Sequence, residues 1–242
     1  MNQHESVIRV AAFLAERGHP HAPRMLEESA RTAQEAADAL GVQAGQIAKS
    51  IVFRRRPDDA AVMVVTSGDQ RVDEKKLAAV VCASGQKLAR ADADFVRDRT
   101  GYAIGGVSPV AHQSSLLLWL DLSLFRFEQV WAAAGHPHAV FSTTPAQLAR
   151  LTQAGLEDLA LGGLELQVRP MALLKARAAM VAGSVDIQPP SPCVSVCCMS
   201  PESGLCGGCL RTLDEIAAWS AMSDAAKRVV WQAIAQRTVP TL

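Results

Sequence analysis

Five of the six cysteines lie between residues 193 and 209, directly behind the stretch SVDIQPPSP at 184–192. Proline locks φ and has no backbone N–H, so Pro189, Pro190 and Pro192 resist both helix and sheet. This pairing of a proline-rich stretch with a thiol cluster divides the chain more firmly than any other feature. The 242 residues suffice for one medium domain and one small one. The expected organisation is a domain over residues 1–158, a linker carrying a short strand and helix over 159–190, and a cysteine-rich module over 191–242.

The N-terminal residues MNQHESVIRVAAFLAERG contain no apolar run long enough for an export signal. No stretch approaches the roughly 20 apolar residues of a membrane helix. The chain is therefore expected to be soluble and cytoplasmic, with no membrane partner. In such a compartment crowded thiols point to metal rather than disulfides. Cys193, Cys197, Cys206 and Cys209 follow the spacing C-x3-C-x8-C-x2-C. Four thiolates on two short turns can close a tetrahedral shell around zinc, and can equally hold an iron–sulfur cluster. Cys198 is an alternative to Cys197. Gly204, Gly207 and Gly208 permit the tight turns such loops require. Cys82, in the helical run LAAVVCAS, reads as a small core residue.

Lys+Arg and Asp+Glu both number 24, so the formal charge is zero. That argues against a protein coating DNA or RNA through a broad basic surface. Arg54, Arg55 and Arg56 form the densest local basic run.

Hydrophobic residues make up 49% of the chain, enough to build a core. Apolar spacing predicts a helix over residues 5–17. Thr32 with Glu35, Thr144 with Pro145, and Thr212 with Glu215 mark helix starts, and Gly41 marks a helix end. Further helices are expected over 73–81, 92–99 and 223–237. KSIVFR and AAVMVVTS read as a hairpin around a charged turn, and SSLLLWLD, EQVWAAA and AVFST as strands. LELQVRP is a candidate last strand and MALLKARAAMVAG a candidate helix.

Two features carry chemistry. Alternation puts Lys49, Ile51 and Phe53 on one strand face. An inward ammonium needs an anion or a carbonyl nearby; the bland alternative is a strand-end lysine with its head in solvent. The loop TGYAIGGVSP has neither dinucleotide nor P-loop spacing. It can be a plain turn, or Gly105 and Gly106 can bring N–H groups to a carbonyl oxygen that gains negative charge. Ser108 suits a turn-stabilising role better than that of a nucleophile.

The succession GQIAKSIVFR, VVTSGDQRVDEKKLAAV, TGYAIGGVSPVAH and LDLSLFRFEQVWAAAGHPHAVFSTTPAQLARLT resembles the YbaK/prolyl-tRNA-synthetase-associated domain family over roughly residues 5–155. The resemblance implies an α+β fold, a mixed, partly closed β-sheet surrounded by helices. It implies an aminoacyl-tRNA deacylase that hydrolyses the ester of a mischarged tRNA carrying a small amino acid. By the same resemblance Lys49 is the functional lysine, and Gly105 and Gly106 the glycine pair. Arg71, Asp121, Gly135, His136 and Ser108 are the candidate substrate-binding residues, with Asp73 in the RVD segment beside Arg71. The implied partners are mischarged tRNA, most commonly a proline tRNA, and an aminoacyl-tRNA synthetase. The deacylase chemistry itself requires no cofactor.

The segment at about 190–237 resembles a short bacterial domain of uncharacterised function, often labelled an iron–sulfur protein. Cys198 stands where that family usually has a basic residue. A second functional class stays open: a catalytically inactive tRNA- or synthetase-binding protein whose cysteine module serves as a metal or redox-sensing element.

Overall fold

The computed structural model describes residues 3–27, 30–161, 174–175, 177–178, 180–181, 188–193 and 199–238. The chain divides into two compact units, residues 1–163 and 164–242.

The first unit holds helices α1 (Gln3–Glu16), α2 (Ala33–Leu40), α3 (Glu74–Val81), α4 (Ala93–Thr100) and α5 (Pro145–Thr152). Its strands are β1 (Arg24–Met25), β2 (Ile47–Arg56), β3 (Ala60–Ser67), β4 (Lys87–Arg90), β5 (Leu117–Asp121), β6 (Val130–His136), β7 (Ala139–Thr143) and β8 (Gly155–Glu157). They form one sheet in the order β1-β7-β6-β2-β3-β5-β8, with β4 paired to β2 off this path. The sheet is mixed: β2–β3, β6–β7, β1–β7 and β2–β4 run antiparallel, whereas β2–β6, β3–β5 and β5–β8 run parallel. This is the α+β class expected, with the sheet open at β1 and β8.

Val62, Met63, Val64 and Val65 of β3 are all fully buried. A strand apolar on both sides without alternation must be covered on both faces, which puts β3 at the centre. Removing each such side chain from water contributes roughly 1.5–3 kcal/mol. Phe53, Val62, Val64, Leu77, Val81 and Leu159 form one buried cluster, bringing α3 onto the β2–β3 hairpin.

The helix starts follow their side chains. Thr32 Oγ1 accepts from Glu35 N at 3.2 Å while Glu35 closes the reciprocal bond, and Gly41 ends α2 at φ 68°. Thr144 caps α5 ahead of Pro145, and Asp73 and Asp92 cap α3 and α4. The hairpin turn is held by ion pairs from Arg54 to Asp59 and Arg55 to Asp58. The arginine run is therefore largely spent on the turn's own acids.

Some strands begin or end off their expected bounds. SSLLLWLD becomes strand only from Leu117, EQVWAAA extends on to His136, and β1 and β4 carry no sequence signal because both are short and mostly exposed.

In the second unit, α6 (Leu213–Ala218) begins at Thr212 with the expected reciprocal cap to Glu215. Helix α7 (Asp224–Arg237) begins at Ser223. Leu174, Ala178 and Val181 are buried with Cys206, Cys209, Val230, Trp231 and Ile234. The candidate helix at 171–183 thus supplies core side chains, and the candidate strand at 164–170 lies outside the described residues. Trp231 Nε1 donates to Pro190 O at 2.9 Å, and Arg237 Nη1 donates to Leu210 O and Glu215 Oε2, both at 2.7 Å. No helix among the described residues is long and apolar enough to cross a membrane.

Candidate active site

Strand β2 keeps β3 along one edge from Ala48 to Arg55. Its other edge has two partners in succession: parallel β6 at Ile47 and Ala48, then antiparallel β4 from Phe53 to Arg56. Between them, from Lys49 to Val52, no strand is paired on that side among the described residues. A cavity of about 680 Å³ sits there, lined by Lys49, Ser50, Ile51 and Val52 and, from other elements, by Arg31, Gly105, Trp131 and His136.

Lys49 is half-buried. Its Nζ donates to Gly68 O at 3.0 Å and to Gln70 O, both in the turn after β3. An ammonium has three donors, and these two bonds use two of them. Burial holds the Lys49 pKa below its ordinary 10.5; nearby Asp69 opposes this and Arg71 adds to it. Asp69 is itself paired with Arg126 at 2.7 Å, which moderates its pull.

The glycine loop comes next. Gly101 ends α4 in the left-handed region at φ 76°. Tyr102 is buried, its hydroxyl shared between Val110 O at 2.9 Å and Ala111 O at 2.8 Å, with the Arg9 guanidinium 4.6 Å from its ring. Gly105, at φ 92°, reaches the cavity, and among the described residues its N–H has no hydrogen-bond partner. Gly106 is different. Its N–H donates to Ala103 O at 3.0 Å, closing the turn. A Cβ on Gly106 would lie 2.8 Å from the His136 backbone. Its role in this geometry is close approach of two main chains, not an open donor.

Gly106→Ala should therefore push the loop away from β6. The expected result is a loss of about 1–3 kcal/mol in stability and of at least tenfold in any activity that uses the cavity, read by urea unfolding and by turnover. Unchanged values in both would show that the loop tolerates the shift.

Gly135 lies in an irregular stretch of β6, where the register with β7 shifts between Ala133 and His136. At φ 88° it leaves no room for a side chain: a Cβ would meet Tyr102 Cε1 at 2.9 Å and Ser6 at 3.0 Å. His136, at the end of this irregular stretch, lines the cavity. His136 Nδ1 accepts from His138 N at 3.2 Å and the two rings stack at 5.3 Å. A second cleft of about 1100 Å³ lies across the same loop and shares Arg31, Ile104, Gly105, His136 and Pro137.

Three expected residues stand elsewhere. Asp121 is fully buried. It accepts from Leu159 N at 2.6 Å, Ser123 N at 3.0 Å, Thr66 Oγ1 at 3.4 Å and the Ser123 hydroxyl. Burial pushes its pKa up. It ties β5 to the chain after β8 rather than facing the cavity. Arg71 is exposed and its carbonyl accepts from Leu161 N at 2.7 Å. The RVD segment is a strap: Val72 bridges Ala160, and Asp73 N donates to Leu159 O at 2.7 Å. Ser108 is buried, its Oγ accepting from Val110 N at 3.4 Å, which is the turn-stabilising role expected. His112 Nε2 lies 2.8 Å from Ser108 O, and burial pushes that imidazole's pKa down.

The sequence reading missed Ser50, Trp131 and Arg31 as lining residues. Trp131, beside the Ile47–Trp131 pairing, could have been found from the alternation of EQVWAAA. Ser50 depends on where β6 and β4 stop, which no local pattern encodes.

In the second unit Cys206 and Cys209 are buried on one turn, with Met199 bridging Cys206 and Arg211 Nε donating to Cys209 Sγ at 3.4 Å. Burial pushes the Cys209 thiol up. Cys193 is exposed, and Cys197 and Cys198 lie outside the described residues. Among the described residues no three metal-binding side chains gather.

Comparison with known proteins adds the following. The model of the aminoacyl-tRNA editing domain matches residues 27–151, and a model described as a protein of unknown function (DUF1289) matches residues 191–238. An uncharacterised Bacillus subtilis protein, YwhH, is 33% identical over 126 residues, covering 52% of this chain and 78% of its own. An Enterococcus faecalis protein named "Putative Cys-tRNA(Pro)/Cys-tRNA(Cys) deacylase EbsC" is 29% identical over 130 residues, or 50% and 77% of the two chains. A crystal structure described as "a putative trans-editing enzyme for prolyl tRNA synthetase" superposes with a TM-score of 0.60 at 42% identity, covering 65% of this chain and 98% of that one.

Proposed function

Because this chain belongs to the aminoacyl-tRNA editing domain family, we propose that it hydrolyses, in trans, the ester of a mischarged tRNA carrying a small amino acid. The observation that carries the reading is one cavity lined by both the half-buried Lys49 and the Gly105 main chain. Water adds to the ester carbonyl carbon, the carbonyl oxygen becomes an oxyanion, and collapse expels the ribose oxygen, which takes a proton. In this reading the Gly105 N–H donates to that oxyanion, and the third Lys49 donor serves it or the terminal phosphate. Gly106 N–H, engaged by Ala103 O, supports the turn. No step needs a protein nucleophile, and the ribose hydroxyl of the substrate is available to assist.

The alanines on the cavity wall, Ala30, Ala33, Ala48 and Ala133, suit an apolar, small aminoacyl group, and the small-amino-acid specificity itself rests on the family resemblance. A proline tRNA as acceptor and a synthetase as partner follow from the names of the relatives. The test is a panel of tRNAs charged with alanine, serine, threonine or cysteine. Acceleration of at least one supports the reading. Binding without hydrolysis of any would favour the inactive binding protein.

The lowered Lys49 pKa sets a pH dependence. The cation is the working form, and it is lost as pH rises through a value below the ordinary 10.5. The enzymatic rate divided by the spontaneous rate should therefore fall on the alkaline side earlier than an exposed lysine would dictate. A ratio flat to the ordinary lysine range would remove Lys49's charge from the mechanism.

For the second unit, we propose that Cys193, Cys197, Cys206 and Cys209 hold one zinc ion or an iron–sulfur cluster. The buried Cys206–Cys209 turn fits two positions of a four-thiolate set, and such a group contributes folding energy when bound. Metal analysis and absorption near about 400 nm distinguish the two. The double variant Cys206→Ser/Cys209→Ser should lose the metal and melt at lower temperature.

A further inference from the structure

The gap in the outer edge of β2 has a definite length and polarity. Val52 O accepts from Ala91 N at 3.4 Å on this edge. Strand residues alternate the side to which they turn their N–H and C=O groups. Ser50, two residues earlier, thus turns both groups toward the same edge, between the end of the β6 pairing at Ala48 and the start of β4 at Phe53. Ser50 lines the cavity there. An extended chain advances about 3.3 Å per residue, and both ends of the gap are closed by strands. The edge has room for one residue-sized group and not for a peptide strand.

An aminoacyl ester is such a group: an amine, an α-carbon and a carbonyl, spaced as in one strand residue. We propose that the Ser50 carbonyl accepts a hydrogen bond from the substrate's α-amino group, so that only esters with an unblocked amine are hydrolysed. The inference rests on the deacylase reading and adds a recognition element to it. A carbonyl accepting from an ammonium makes a strong, charge-assisted bond. An acyl group on the nitrogen removes the charge and lengthens the chain toward a closed end of the gap. N-blocked aminoacyl-tRNA and peptidyl-tRNA are accordingly excluded, without any contact to the side chain that is being edited.

The test takes the best substrate of the small-amino-acid panel and its N-acetyl derivative on the same tRNA. Each enzymatic rate is divided by that ester's spontaneous hydrolysis rate, because the α-ammonium itself activates the ester. The expected result is a normalised rate lower by about 30-fold or more for the N-acetyl ester. Equal acceleration of both overturns the role of Ser50 and leaves the deacylase intact. No acceleration of any free aminoacyl ester in the panel overturns the deacylase reading and this inference with it.

Discussion

Lys49→Ala should lower single-turnover deacylation by about 100-fold or more, with the fold retained. The ammonium is held by Gly68 O and Gln70 O, so it stands oriented before substrate arrives. Preorganised charge of this kind acts where negative charge develops and needs no rearrangement at the moment of reaction. Its loss should fall on the rate at saturating tRNA if Lys49 serves the oxyanion, and on KM if it serves the terminal phosphate. The stability change should be modest, about 1–2 kcal/mol, because two carbonyls lose a donor in a partly wet site. Lys49→Met, which keeps the stem, separates charge from packing. Unchanged rates across an active panel would take Lys49 out of the mechanism.

Asp121→Ala should be the most destabilising of these substitutions, by about 3 kcal/mol or more. The Leu159 and Ser123 N–H groups and the Thr66 and Ser123 hydroxyls all point at this carboxylate in a dry interior. Without it the backbone donors have neither protein nor water as partner. Asp121→Asn keeps the volume and one acceptor oxygen, and should lose less. The pH dependence has a fixed sign. The folded pKa is raised by burial, so the folded state binds this proton more tightly than the unfolded one. Stability from this group is full below the ordinary carboxylate pKa and is lost as pH rises through the raised value. The penalty of Asp121→Asn should therefore grow as pH is lowered from 7, measured by urea unfolding. A penalty independent of pH would contradict a raised pKa.

Local chemistry was legible in the sequence where it is settled locally. The caps at Thr32, Thr144 and Thr212 and the hairpin closed by Arg54–Asp59 need only neighbours a few residues away. Lys49 and Gly105 were singled out from the sequence, and both line one cavity. Asp121 and Arg71 were expected at the substrate and are not among the residues that line the Lys49 cavity. Their partners, Leu159 and Leu161, lie beyond β8, where short apolar runs give no periodic signal. The family resemblance put Asp121 among the substrate-binding candidates, whereas in the structure its carboxylate is occupied by Leu159, Ser123 and Thr66. Gly106 illustrates the same limit: its need for glycine is set by the His136 backbone 2.8 Å from where a Cβ would sit, thirty residues away in the chain.

The interrupted edge of β2 also bears on strand pairing between copies of this domain. Exposed strand edges invite pairing with other chains. The sheet's outer margins are the two-residue β1 and the three-residue β8, too short to template a neighbour. Among the described residues, the unpaired outer edge of β2 lies between the β6 and β4 pairings, too short a gap for another strand to pair along. Hydrogen-bonding capacity for a ligand is thereby kept without offering a seed for aggregation.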